Sequence, residues 1–203
     1  MIRYKFFLLT FYFILPIFHG YAQGKQHTVQ VLSSEISILG TTNVNQFSCT
    51  LNESGDNEAL RVSSNWDQKR LTFNGLILSY DLKGFDCGLK VMNTDFQEIL
   101  HADEYPEMKL EIRIIHIPAS NNQIAILEVN SDVSVQIAGV SRRFLVNEGR
   151  VINIAEDELI FEGQQQMKIT DFGITPPEKY FGMVKVNDEL TVSFSVRMKV
   201  ETL

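Results

Sequence analysis

Residues 190–201 alternate without a break. Leu190, Val192, Phe194, Val196, Met198 and Val200 are apolar, and Thr191, Ser193, Ser195, Arg197, Lys199 and Glu201 stand between them. Successive side chains of a strand point to opposite faces, so a strand gathers the first set on one side and the second on the other. A helix would scatter both sets around its circumference. The segment therefore reads as a strand with one dry face and one wet face, and the fold must supply an apolar interior for it.

The same period recurs along the chain. Met108, Leu110, Ile112 and Ile114 alternate with Lys109, Glu111 and Arg113, and Val133, Val135 and Ile137 alternate with Ser134 and Gln136. Leu159, Phe161, Met167 and Ile169 share one parity, opposed by Glu162, Gln164, Gln166, Lys168 and Thr170. Further strands are expected around 35–50, 71–82, 124–129 and 144–154. Within 71–82 the apolar parity switches at Asn74-Gly75, which means a tight hairpin or a bulge. One stretch looks helical: Thr94 can cap, Gln97 stands three residues later, and Phe96, Ile99 and Leu100 share a face. About eight mostly antiparallel strands and one short helix make an all-β barrel or sandwich. Wet outer faces argue against a parallel α/β sheet, whose strands are apolar on both sides. Residues 54–57 and 176–179 read as exposed loops.

The first 22 residues differ from the rest. Arg3 and Lys5 precede an apolar run over residues 6–18, broken only by Thr10 and Pro16, and Gly20-Tyr21-Ala22 offers small residues to a signal peptidase. Residues 1–22 are therefore expected to be a cleaved leader and residues 23–203 one exported domain, periplasmic or secreted. The run is shorter than the roughly 20 apolar residues that span a bilayer, and no later segment spans one. The formal charge of −7 becomes more negative when Arg3 and Lys5 leave, so a nucleic-acid partner is not expected. Two cysteines remain, Cys49 and Cys87. In an oxidising compartment such a pair favours a disulfide, with two buried free thiols as the alternative.

Catalytic patterns are missing. There is no Gly-x-Ser-x-Gly elbow, no His-Glu-x-x-His and no phosphate-cradling glycine loop. His27, His101 and His116 lack metal-ligand spacing, so no metal and no cofactor are expected. His27 is expected in a flexible N-terminus, and His101 is placed to satisfy the last carbonyls of the short helix. His116 and Gln165 share the apolar parity and could orient a lipid headgroup. His116 also stands just before Pro118, where a solvent-facing rim position would serve equally.

Several segments together resemble the YceI-like family of exported lipid-binding proteins. They are Gly40-Thr41-Thr42-Asn43-Val44-Asn45-Gln46-Phe47, Phe85-Asp86-Cys87-Gly88 with Met92-Asn93, and Ala102-Asp103-Glu104-Tyr105-Pro106. Ala138-Gly139-Val140-Ser141-Arg142, Ile169-Thr170-Asp171-Phe172-Gly173-Ile174 and Val186-Asn187-Asp188-Glu189-Leu190-Thr191-Val192 follow in the family's order. The resemblance implies an eight-stranded antiparallel lipocalin-like barrel with one short helix, enclosing a long apolar cavity. It implies a polyisoprenoid or another long amphiphilic lipid held inside the barrel; together with the alternation, this gives the expectation of a non-enzymatic carrier for a polyisoprenoid, a quinone or a fatty-acid derivative. Thr41-Thr42-Asn43-Val44 and Asn93-Thr94-Asp95 replace histidine-containing stretches of the better-known branch, so no particular lipid is implied.

The candidate lining residues are Phe73, Leu110, Ile112, His116, Phe161, Met167, Phe172, Phe194 and Val196. Burying a tail among them would contribute roughly 0.8 kcal/mol per CH₂. The alternative is a barrel filled by its own side chains, serving as a protein-interaction or envelope-stress module.

Overall fold

The alternating C-terminal segment forms β10, Val184–Thr202, and its two edges organise the sheet. One edge pairs antiparallel with β1, Lys25–Thr42, and the other with β8, Glu158–Lys168. The remaining strands are β2 (Gln46–Ser54), β3 (Arg61–Asp67), β4 (Arg70–Asp81), β5 (Glu107–His116), β6 (Ile126–Ile137), β7 (Val140–Asn153) and β9 (Glu178–Lys179). The computed structural model describes residues 25–54, 61–67, 69–118, 126–179 and 181–202. The expected leader, residues 1–22, and residues 55–57 of the expected acidic loop lie outside the described residues.

Walking from β1 through β3, β4, β5, β6, β7, β8 and β10 returns to β1. All these pairings are antiparallel, so eight strands close into a ring. This is the lipocalin-like barrel, and closure removes the free edges that an open sheet would present. β2 and β3 share one edge of β1: β3 pairs with its residues 25–30 and β2 with residues 33–41. Between β1 and β2 the Thr42 hydroxyl accepts hydrogen bonds from the amides of Val44 and Asn45, at 3.1 and 2.9 Å. The region expected as strand over 35–50 is thus two strands around a tight turn. β1 already begins at Lys25, so His27 lies in a strand paired on both edges rather than in a loose terminus.

Closure needs strands that bend, and bulges supply the bends. At Asn74-Gly75 the β4–β5 register slips, with Gly75 at φ +78°. Of the two options at the parity switch, the bulge is the one adopted. On either side of it Leu71 and Phe73, then Leu76, Leu78 and Tyr80, face inward and are buried. A second bulge lies at Arg113 in β5, where Ile112 pairs with Val133 but Ile114 with Asp132. A third separates Val129 from Ser131 in β6.

The helix α1, Lys90–Ile99, starts earlier than the Thr94 cap predicted. Thr94 sits inside it, its hydroxyl donating to the Lys90 carbonyl at 3.2 Å. The start is shaped by side chains that bond the amides of the segment leading into it. Asp86 Oδ1 accepts from Gly88 N at 2.9 Å and Asn93 Oδ1 from Cys87 N at 2.7 Å. At the other end His101 does act, but through its backbone. It adopts φ +54°, its amide bonds Glu98 O, and Ala102 N bonds Gln97 O, the double closure of a Schellman motif. Phe96 and Leu100 are buried on the expected face, Ile99 packs beside them, and the Phe96 ring lies 5.1 Å from that of Phe85.

Cys49 and Cys87 form a disulfide between β2 and the segment leading into α1. Beside it Thr50 and Asp86 exchange two backbone hydrogen bonds, both 3.0 Å. These links anchor the edge of β2 that faces away from β1.

Candidate ligand-binding interior

The inward side chains of the ring form one continuous apolar cluster. Eight of the nine candidate lining residues belong to it, on four strands and one turn. Phe73 comes from β4, Leu110 and Ile112 from β5, Phe161 and Met167 from β8, and Phe194 and Val196 from β10. Phe172 comes from the 3₁₀ turn Ile169–Phe172. Sheet register decides which of them meet. Val196 pairs with Phe161, Leu110 with Leu78 and Val135, and Ile112 with Leu76 and Val133. All eight are between 0 and 6% exposed, so each is packed closely by its neighbours.

Phe194 shows how the sequence makes room for a ring. It pairs across the ladder with Gly163, and a Cβ at Gly163 would fall 2.3 Å from its Cζ. The missing side chain lets the ring lie over β8 and reach Phe161, centroid to centroid 5.3 Å. Aromatic pairs at this spacing favour tilted geometries, and this pair is inclined by 58°.

His116 is the exception among the nine. The bulge at Arg113 turns Ile115 inward, where it is buried, and sends Ile114 and His116 to the outer parity. His116 pairs there with Arg70 and Asn130, both exposed. Its expected sharing of the Leu110 and Ile112 face does not hold, because a bulge resets alternation. Nearby Asp132 accepts from Arg143 Nε at 2.6 Å and from Arg143 Nη2. That hydrogen bonding holds its carboxyl below the usual carboxylate range, with burial opposing the shift and the charges of Arg143, Arg113 and His116 aiding it.

Gln165 keeps the inward parity and is half-buried opposite Val192, with Nε2 donating to Gln166 O at 2.7 Å. Inward polar groups not anticipated as site candidates are Ser34, Ser64, Tyr80 and Ser131. Tyr80 was visible in the Leu76, Leu78, Tyr80 series. Ser131 was not, since its orientation depends on the β6 bulge. Its hydroxyl is fully buried with no hydrogen-bond partner among the described residues.

The wall is unequal around the ring. β7 and β8 pair only through residues 150–153 and 159–162. Beyond that the strands are not laddered to each other, and the turn Ile169–Phe172 packs against both. The Phe172 ring reaches Phe144 at 6.5 Å. Asp188 fastens the turn, accepting from Thr170 N at 3.0 Å and Thr170 Oγ1 at 2.9 Å. The Thr170 amide is the main reason that the Asp188 carboxyl lies below its ordinary value.

A groove of about 680 Å³ opens over β1, β7, β8 and β10, and Gly163 and Phe194 line it together with outward-facing residues. Glu35 and Ser37 of β1, Ser193 and Ser195 of β10, and Glu162 and Gln164 of β8 line it, on the wet side of each strand.

No family model matches this chain, and no curated protein matches it. Solved structures do. A polyisoprenoid-binding domain from Saccharophagus degradans implicated in plant cell wall breakdown is similar with a TM-score of 0.55 and 10% identity, over 87% of this chain and 98% of that chain. A YceI protein from Campylobacter jejuni is similar with a TM-score of 0.50 and 14% identity, over 70% of this chain and 81% of that chain. At these identities the likeness is one of fold, and it is the fold that the family resemblance implied.

Proposed function

We propose that this chain is an exported, non-enzymatic carrier of the YceI-like type, holding the tail of a long amphiphilic lipid within the ring. The observation that carries the reading is the closed ring of eight strands whose inward side is mostly apolar, with Ser34, Ser64, Tyr80, Ser131 and Gln165 as polar exceptions. Such an interior offers a hydrocarbon tail roughly 0.8 kcal/mol per buried CH₂, enough over ten or more groups to exceed the cost of ordering the chain. A polyisoprenoid, a quinone or a fatty-acid derivative has a tail of this kind. The name of the Saccharophagus degradans domain, polyisoprenoid-binding, supports the first of these.

Export rests on residues 1–22 as a leader and residues 23–203 as the delivered domain, periplasmic or secreted. The Cys49–Cys87 disulfide supports it, because such bonds persist in oxidising compartments. A non-enzymatic role fits the placing of the histidines: His101 is exposed beyond α1 and His116 stands on the outer face, away from the buried cluster. Native mass spectrometry of purified protein, followed by lipid extraction, tests the proposal. A bound mass that extraction removes, and uptake of added polyprenol, quinone or fatty-acid derivative, is the expected result. Ligand-free protein that takes up none of the three refutes carriage.

A second reading, a filled barrel serving as an interaction or envelope-stress module, is favoured by the close packing of Leu110, Ile112, Phe161 and Val196, each at most 1% exposed. The same experiment separates the two.

A further inference from the structure

Val129, Ser131, Val133, Val135 and Ile137 are the buried, inward positions of β6, so one hydroxyl interrupts a run of aliphatic side chains. Ladder pairing sets Ile115 of β5 on one side of it and Val146 of β7 on the other, each 1% exposed. Ser131 itself is 0% exposed, and its hydroxyl has no hydrogen-bond partner among the described residues. A hydroxyl taken out of water without a replacement partner is destabilising. A lone water would serve it badly. A buried water needs several polar partners, and the side chains of Val129, Val133, Ile115 and Val146, the neighbours of Ser131 along and across the sheet, offer none.

Ser131 also stands close to the weak part of the wall. Val129 pairs with Gly149 but Ser131 with Val146, so β7 carries an extra residue there, and Asn147 and Glu148 are both exposed at the bulge. Val146 lies on the stretch of β7 that is not laddered to β8. The groove over this seam has Asn147 and Glu148 on the β7 side, Gly163 and Gln164 on the β8 side, and the inward Phe194 among its lining. A molecule entering between β7 and β8 meets the inner face of β7 first and that of β6, with Ser131, next.

We infer that Ser131 anchors the polar end of the cargo, its hydroxyl donating to an uncharged oxygen. That oxygen is the alcohol of a polyprenol, the carbonyl of a quinone, or the ester or amide carbonyl of a fatty-acid derivative. An oxygen joined to an apolar tail suits the place, since the tail meets the aliphatic neighbours while the oxygen meets the hydroxyl. Charge excludes the ionised forms, a polyprenyl phosphate or a free fatty acid. Asp132 is the one charged side chain buried among the described residues, and it belongs to the outer face, bonded by Arg143. An anionic head would thus lose its hydration inside with no cation to meet it. The groove adds repulsion at the entrance. Glu162 is held by Arg150 at 2.7 Å, but Glu35, Glu128 and Glu148 have no ion pair among the described residues. The inference names the head group for the carriage proposal and rests on it.

Equilibrium dialysis of the purified protein against tetradecanol, tetradecane or tetradecyl phosphate, quantified by mass spectrometry, tests it. The alcohol should bind about tenfold or more tighter than the phosphate. Ser131→Ala should weaken alcohol binding about fivefold and leave tetradecane unchanged. It should also leave the urea midpoint of ligand-free protein unchanged or raised, because it removes an unpaired hydroxyl. Ser131→Thr keeps the donor and should hold the alcohol as the parent does. Equal alcohol binding by the parent and Ser131→Ala, or phosphate binding as tight as alcohol binding, overturns the inference. So does a loss of ligand-free stability in Ser131→Ala that Ser131→Thr restores, since the hydroxyl would then have a partner within the protein. Tetradecane binding measures carriage without the anchor, so failure of the anchor is distinct from failure of the carrier. A parent that binds none of the three refutes carriage and takes this inference with it.

Discussion

Gly163→Ala should destabilise the protein, yet become harmless once Phe194 is also truncated. The backbone of Gly163 is outside the left-handed region, so space alone decides the outcome. A methyl there meets the Phe194 ring, 2.3 Å from Cζ, and the ring is boxed in by β8 and Phe161. Forcing such a group into a packed interior costs about 2 kcal/mol. Phe194→Ala alone should cost about 3–5 kcal/mol, since the ring is 5% exposed and its loss also breaks the aromatic pair. With the ring gone the methyl has room, and replacing a strand glycine by alanine then gains about 0.5 kcal/mol. The effect of the same substitution therefore swings by about 2–3 kcal/mol between backgrounds. Independent sites deviate from additivity by only about 0.5 kcal/mol. Urea unfolding of the four proteins, with unchanged slopes, measures this coupling. Costs that add within that limit would mean that Phe194 does not lie over Gly163, and the packing described for β8 and β10 would be wrong.

Removing the disulfide with Cys49→Ala and Cys87→Ala should cost about 3–4 kcal/mol, given a separation of 38 residues; a loss under about 1 kcal/mol in urea would show that the chain is not constrained there. Amide exchange in β2 and α1 should accelerate in the same variant. Acid should weaken the protein partly through Asp132. Its folded carboxyl is held below its unfolded value by Arg143, so its contribution is present above about pH 4 and is lost as pH falls through the folded value. Asp132→Asn should flatten that acid limb in urea midpoints, and added salt should shrink the difference because Arg143 is largely exposed; parallel curves would refute it. The β5 bulge predicts that Ile115→Ala costs about 2–5 kcal/mol while His116→Ala is nearly neutral for stability and lipid uptake. The opposite order in thermal unfolding and uptake would restore His116 to the interior.

Much of the barrel is legible in the chain because wet and dry faces leave a period of two. The run from Leu190 to Glu201 contains no bulge, so its alternation maps directly onto β10. The Asn74-Gly75 bulge announces itself, since glycine readily takes the positive φ it needs. The bulge at Arg113 carries no such residue, and nothing local says that Ile115 rather than Ile114 turns inward. The start of α1 is hidden for a related reason. Thr94 and Gln97 look like a local cap, but the helix begins where Asp86, Asn93 and the Cys87 crosslink fix the approaching chain. The candidate interior was readable as a set of apolar positions. Which rings touch was not, because Gly163 under Phe194 and Phe144 beside Phe172 are matters of strand pairing and turn placement.

If the interior receives a lipid tail, the wall has to part somewhere, and the resistance to parting differs around the ring. Between β1 and β10 the ladder runs from His27–Thr202 to Thr42–Val186, and opening it would surrender many hydrogen bonds at about 1 kcal/mol each. Between β7 and β8, as between β3 and β4, only four residue pairs are laddered, but only at the β7–β8 seam does a turn take over from the ladder. Beyond them the turn Ile169–Phe172 packs against the two strands, through Phe172 on Phe144, and Asp188 fastens it by its two bonds to Thr170. Withdrawing that turn breaks side-chain packing and one fastening but no strand ladder. On the carriage reading, therefore, the tail should pass at the β7–β8 seam, beside the inward amide of Gln165. The tight packing of Leu110, Ile112, Phe161 and Val196 then limits how far it penetrates.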